Sequence, residues 1–346
     1  VETHARKKFT SMLAGLADTY KGHFNGSDKF SIDPISPELE QTLEKRIQEK
    51  STLLSKINVV GVRDLKGEKL GLLAGKRVAS RTDTTQSDRQ TKYIGDLDGR
   101  GFELHKTDFD THITYQMIDN WSAYPEFEAM YRDKVLEQIG RDRVTIGWHG
   151  ETAAANSDPV ANPMLQDMNR GWLQAIREDK PSQMVGTSTN KIKIGQDGTY
   201  NSLDTAVFDA RHTLLDPWHK NRSDLVLILG SELYHRYHMA MLDGSTVSSM
   251  ERNQREEWLA RNTIGGLRVV QEEFFPERGI LITAYSNLSI YYQRGSRRRT
   301  IMDNAKRDRV EDYQSVNEGY IVEDYGAACG FDPLHILLPD GNGGWA

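Results

Sequence analysis

The chain has 346 residues, a formal net charge of -6, 37% hydrophobic residues and 27% charged ones. That length suits two or three packing units. The acidic balance argues against a general nucleic-acid binder, although local basic patches remain open, and the low apolar share leaves some segments to find their burial elsewhere. A single cysteine, Cys329, excludes an intrachain disulfide and fits a reducing compartment. No apolar run reaches the roughly 20 residues of a membrane-spanning helix, and the first residues lack a signal-peptide core. A soluble protein made inside a cell is expected, its Val1 reflecting a removed initiator Met or a trimmed chain.

In chain order, residues 2–20 read as a first amphipathic helix, with Phe9, Met12, Leu13, Leu16 and Tyr20 on one side. A polar joint follows over 21–29. Ser36 and Pro37 supply an N-cap and a first-turn proline to a helix striped by Leu39, Leu43, Ile47, Leu54 and Ile57. Residues 1–60 therefore look like an arm with too little apolar mass for a core. From 61 to 115 glycines punctuate a segment rich in Thr, Asp, Lys and Arg, and 79–92 hold almost no large apolar side chain. Strand-like limbs bound this polar middle. An extended hairpin that lies on another subunit is preferred to a disordered insertion, because an isolated ribbon is marginal in water.

Residues 125–148 predict the longest helix, a strut of about 36 Å. Phe127, Met130, Tyr131, Val135, Leu136, Ile139, Val144 and Ile146 draw its stripe, and Gly150 is its expected stop. Asn162 and Pro163 repeat the cap-plus-proline signal before Leu165, Met168, Trp172 and Ile176, with Pro181 after the end. Ser202 can cap a helix carrying Leu203, Val207, Leu214 and Leu215. The run 224–230 is a buried strand by its continuous apolarity. Helices over 233–242 and 248–262 then precede strands at 267–271, 280–285 and 288–292, which suggests one α/β unit over 203–292. Residues 309–328 read as a long strand, bent near Gly319, that returns beside the strut.

No reactive constellation stands out. Residues 71–76 imitate a phosphate loop, but the spacing is one residue short and Arg77 stands where Ser or Thr is needed. His235 and His238 could share a helix face with Glu232 around a metal, yet no further ligand follows at the right spacing. His149 and Glu151 match half of a deaminase signature whose cysteine half is absent. Arg297, Arg298 and Arg299, with Lys306, Arg307 and Arg309, form the densest basic cluster; interspersed Asp303, Asp308, Glu311 and Asp312 favour an ion-pair seam over phosphate binding. No catalytic residue, metal or cofactor is expected. A metal-dependent enzyme using His235 and His238 and a nucleic-acid-binding module are the alternatives to a structural building block.

Several strings carry a resemblance. Residues 162–167 (NPMLQD) with 171–174 (GWLQ), 66–69 (KGEK), 287–292 (NLSIYY), 308–311 (DRVE) leading to Tyr313, and 320–325 (YIVEDY) are together similar to the major capsid proteins of P2-like (peduovirus) tailed bacteriophages. The similarity runs from about residue 6 to 329. It implies an α+β chain of the HK97-like capsid fold. Its parts would be an N-terminal arm (1–60), an extended loop (61–117), a peripheral domain (118–179) with a spine helix at 125–148, an axial domain (180–300), and a return to the peripheral domain with a tail (301–346). It also implies hexamers and pentamers closing into an icosahedral head around double-stranded DNA, assembled in the bacterial cytoplasm. The implied partners are a scaffolding or protease protein that trims an N-terminal segment such as 1–30, a portal at one vertex, and DNA held by weak non-specific contact. Lys66, Glu68, Lys69, Arg77, Arg81, Arg89, Glu126, Arg132, Arg297, Arg298 and Arg299 are the candidate subunit contacts.

Overall fold

A computed structural model describes residues 23–24, 29–32, 37–68, 72–73, 79–86, 88–91, 96–97, 101–121, 127–242, 262–340 and 344–345. The strut is the helix Phe127–His149. Of the predicted stripe, Val135, Leu136 and Ile139 are buried, whereas Met130 near the start of the helix is 51% exposed. From Arg143 to Trp148 every residue is buried, so its far end is a core element on all sides. Gly150 does stop the helix, by allowing close approach: a Cβ there would collide with the carbonyls of Asn169 and Ile146. Gly171 donates to the Gly150 carbonyl at 3.0 Å and starts the helix Trp172–Asp179. Trp172 stacks edge-on against Trp148 (4.8 Å between ring centroids) and Tyr320 (5.6 Å), and Trp148 against Phe275 (5.0 Å).

An eight-stranded sheet packs on this helix. Its long strand, Arg309–Val322, pairs antiparallel with Arg298–Asn304, Leu288–Gln293, His105–Asp108 and Thr111–Thr114. Asn58–Val62 adds in parallel to Leu288–Gln293, and Lys29–Ile32 adds to Arg298–Asn304. Buried Val316, Glu318, Tyr320 and Val322 lie on the side toward the strut. A second sheet runs Met184–Val185, Cys329–Phe331, Ile280–Thr283, Val226–Leu229, Leu267–Val270, Thr263–Ile264. Leu227, Leu229, Ile280 and Ile282 face a core with the helix Leu203–Thr213, while Val226, Ile228 and Leu281 join the core around the strut. Burial on both faces explains the unbroken apolar run at 224–230.

Several expectations change. The helix Pro37–Lys50 ends before Leu54 and Ile57, which are buried in the turns that follow; with Leu43 and Ile47 they belong to the strut's core. Residues 37–57 are thus part of a packed unit. No helix starts at Asn162: Leu165 has a positive φ of 58°, and the Asp167 carboxylate accepts from the Asp158 N–H (2.7 Å) and the Asn162 amide (3.1 Å), which ties the segment into a loop. The helix begins ten residues later, at Trp172. Residues 105–114 leave the ribbon and enter the large sheet. Leu288–Gln293 also belongs to that sheet, whereas Cys329–Phe331 returns the chain to the smaller one. The helices expected over 2–20 and 248–262 and the glycines of the 71–76 loop lie outside the described residues, apart from Asn262.

Candidate functional site

Four charged side chains at the centre of the larger unit decide how its parts are held. Arg143 on the strut donates to Glu318 on the long strand (2.9 Å) and to Glu44 on Pro37–Lys50 (2.6 Å), and Arg297 donates to the same Glu44. All four are at most 3% exposed. Burial opposes charge on the Glu44 carboxyl, but Arg143 and Arg297 outweigh it and hold the group down at about 2. Burial likewise opposes the Arg143 charge, and Glu318 and Glu44 overcome it. Tyr320 completes the site by donating to Glu318 at 3.1 Å. Beside it, Glu40 accepts from the Gly295 N–H at 2.9 Å, and burial pushes its carboxyl up. Removing both charges of a pair can be neutral, whereas removing one partner strands the other.

The ribbon leaves from this body. Lys66–Glu68 pairs with Gly101–Glu103 and Leu72–Leu73 with Asp96–Leu97, both in one register. Continued without a bulge, that register centres the tip between Thr84 and Thr85. A turn stands there: Gln86 N–H donates to the Asp83 carbonyl at 3.2 Å, and the Asp83 carboxylate accepts from the Thr85 N–H (3.0 Å) and hydroxyl (2.6 Å). At the root, Phe102 meets Tyr291 of the large sheet edge-on at 5.3 Å and covers Gly67, where a Cβ would strike its ring. Nearly every described residue from 79 to 91 is exposed.

The large sheet keeps one face open. Tyr313, Ser315 and Asn317 point away from the strut, and Met302 and Val60 are exposed. A polar cleft lies on this side, lined by Lys106, Gln293, Arg294, Ser296, Arg298 and Asn317 among others. The Asn317 amide donates to Gln293 (2.8 Å) and its N–H to the Ser296 hydroxyl (3.1 Å), which fixes the floor.

The candidate contact residues divide accordingly. Lys66 is exposed at the ribbon root in an ion pair with Glu103 (2.6 Å); Arg81 and Arg89 are exposed near the tip, Arg132 on the strut, and Arg298 at the cleft. Arg299 is committed to Asp312 at 2.7 Å. Arg297 points inward to Glu44 and offers a neighbour no surface, because the buried carboxylate needs its charge. Lys69, Arg77 and Glu126, and the Glu68 side chain, lie outside the described residues. Sequence reasoning missed Glu44, Arg143 and Glu318, whose only signal is charge at otherwise apolar positions.

The metal reading gains nothing. Glu232 is paired with Arg278 (2.6 Å) and Arg236 (3.0 Å), and His238 packs at a tilt against Tyr234, 4.2 Å between ring centroids. Among the described residues no group of three or more His, Cys, Asp or Glu could hold a metal ion. His149 bonds the Phe274 carbonyl at 2.8 Å. Cys329 is buried, which pushes its thiol up to about 12 and makes it a poor nucleophile.

The family description "Phage major capsid protein, P2 family" matches residues 8–334. The chain belongs to that family. As a P2-family capsid chain it is 35% identical to "Capsid proteins" of Escherichia phage P2, over 96% of this chain and 94% of that one. It is 34% identical to the "Major capsid protein" of Serratia phage KSP20, over 91% and 92%. A chain in the satellite phage P4 procapsid, solved with its size determination protein, is 34% identical and superposes with a TM-score of 0.77 over 98% of this chain and 99% of that one. The capsid of an empty GTA particle, 15% identical with a TM-score of 0.52 over 82% and 89%, shares the fold alone. The capsid chain's architecture is the HK97-like one.

Proposed function

We propose that this chain is the structural subunit of a phage head, meeting copies of itself in hexamers and pentamers that close into an icosahedral shell around double-stranded DNA. The observation that carries the reading is the ribbon. It leaves the body at Lys66 and Glu103, turns at Thr84 and Thr85, and exposes its tip to solvent. A neighbour's surface supplies the burial it lacks, and subunit interfaces of this kind bury about 2,000 Å² or more. The role is structural, with no catalysis. Scaffolding or protease protein and portal are partners in assembly, residues 1–30 are the segment open to trimming, and DNA is held without base contacts.

Deleting residues 77–92 tests this. The shortened subunit keeps its unfolding midpoint, because no described residue of the deleted stretch belongs to either core, and it forms no closed shells by negative-stain microscopy. Normal shells from the deletion would overturn the reading.

A further inference from the structure

We propose that the exposed face shared by the helix Pro37–Lys50 and the strut is the surface that meets the phosphate backbone of double-stranded DNA. The inference rests on the shell reading above and names where the enclosed duplex touches the subunit.

Positive charge is spent unevenly over the molecule. In the basic cluster of the sequence, Arg297 is committed to Glu44, Arg299 to Asp312 and Arg309 to Glu311. Cations tied up in this way have little left for a phosphate. The two helices differ. Arg46 and Lys50 stand one turn apart on the first, and Lys134 and Arg141 both reach Glu137 on the strut, at 2.7 Å each. Lys50 bridges the helices by donating to Asp133 at 2.9 Å. That hydrogen bond holds the Asp133 carboxyl below its usual value, and the nearby charges of Arg132 and Arg46 add to the effect. Neither of these arginines has an ion pair of its own among the described residues. Five exposed cations thus share two carboxylates. Exposed Lys45 and Glu49 add one charge of each sign and leave that excess unchanged.

The net charge of the chain is -6, so attraction for a polyanion has to come from a local excess of this kind. From Arg132 to Arg141 the strut runs about 14 Å, a length over which a duplex presents about eight phosphate charges. Long cationic side chains on a packed helix pair can follow that strip without reading bases. A protein partner fits worse. Interface centres are poor in charge and rich in aromatic anchors, whereas the one large apolar side chain exposed on the described parts of these helices is Met130, near the strut's start.

Mixed-sequence duplex DNA, titrated against the full-length unassembled subunit over a series of salt concentrations, tests the surface by fluorescence anisotropy. The unaltered chain binds with a marked salt dependence. Replacing the two unpaired arginines together, Arg46→Gln with Arg132→Gln, weakens binding about tenfold at low salt. It also makes the slope of log affinity against log salt shallower by about two. Both side chains are exposed, so the thermal midpoint stays in place. A matched control, Lys306→Gln with Arg307→Gln, removes the same charge from the exposed turn between Arg298–Asn304 and Arg309–Val322 and leaves affinity and slope nearly unchanged. Absence of salt-dependent binding by the unaltered chain would overturn the proposal. So would an equal loss in the control, which would make the attraction a matter of net charge alone. It is likewise overturned if the helix variant binds duplex normally but forms no shells, because the face would then be a contact between copies. Failure of the titration while deletion of 77–92 still abolishes shells rejects this surface and leaves the shell reading standing; normal shells from that deletion reject the shell reading whatever the titration gives.

Discussion

Arg143 is where the arm helix, the strut and the long strand meet in one guanidinium. Replacing it by Met keeps most of the volume but leaves Glu44 and Glu318 facing each other in the interior, with Arg297 satisfying only one. A loss of about 3–5 kcal/mol is expected in urea unfolding of the unassembled subunit; a change under about 1 kcal/mol would mean that water reaches the site. The same residues set an acid response. Glu44 falls from an ordinary value of 4.5 to about 2 on folding, so its contribution is fully present above pH 4.5 and drains away as pH falls toward 2. Glu44→Gln therefore lowers stability at neutral pH and flattens the unfolding curve across that window. An acid limb as steep as that of the unaltered chain would assign the titration elsewhere.

At the scale of elements, two effects compete at Gly147. Alanine is the better helix former by about 1 kcal/mol, but its Cβ would stand inside the Trp172 ring. Moving that ring disturbs its contacts with Trp148 and Tyr320 and its indole hydrogen bond to the Ser289 carbonyl (3.0 Å). Overpacking costs about 1–3 kcal/mol, so Gly147→Ala should destabilise by about 1–2 kcal/mol in thermal unfolding; a stabilised variant would show that the ring yields freely. Elements governed by local chemistry were legible in the sequence. Ser202 caps Leu203–Thr213 by accepting from Thr205, and the apolar run became Val226–Leu229. Elements governed by distant partners were not. Asn162 and Pro163 carry a valid start signal that Asp167 overrides, and 105–114 alternates equally well for a free ribbon and for a sheet strand. Arg297 sits in a charged run that looks solvated until Glu44, 253 residues away, is placed beside it. The ribbon itself was legible because poverty in apolar residues needs no partner to be seen.

For the whole molecule, the question is where the arm ends and the body begins. The sequence set that boundary near residue 60, whereas backbone pairing sets it much earlier. Lys29–Ile32 is hydrogen-bonded to Arg298–Asn304, and Pro37–Lys50 carries Glu44 into the buried network. A chain starting at residue 29 loses only the two-residue strand His23–Phe24 from the described sheet and should match the full chain in unfolding within about 0.5 kcal/mol. A chain starting at 37 strips the neighbour from Arg298–Asn304 and turns a paired strand into an open edge. Its amides between 299 and 302 should then exchange faster, and the subunit should associate non-specifically. If residues 1–30 serve assembly and not folding, the first truncation lowers the yield of correctly sized shells in the presence of scaffold while the subunit stays intact. The second damages the subunit before assembly begins. Equal exchange in the two truncated chains would show that the strand at 29–32 adds nothing to the sheet, and would move the start of the body to the helix at Pro37.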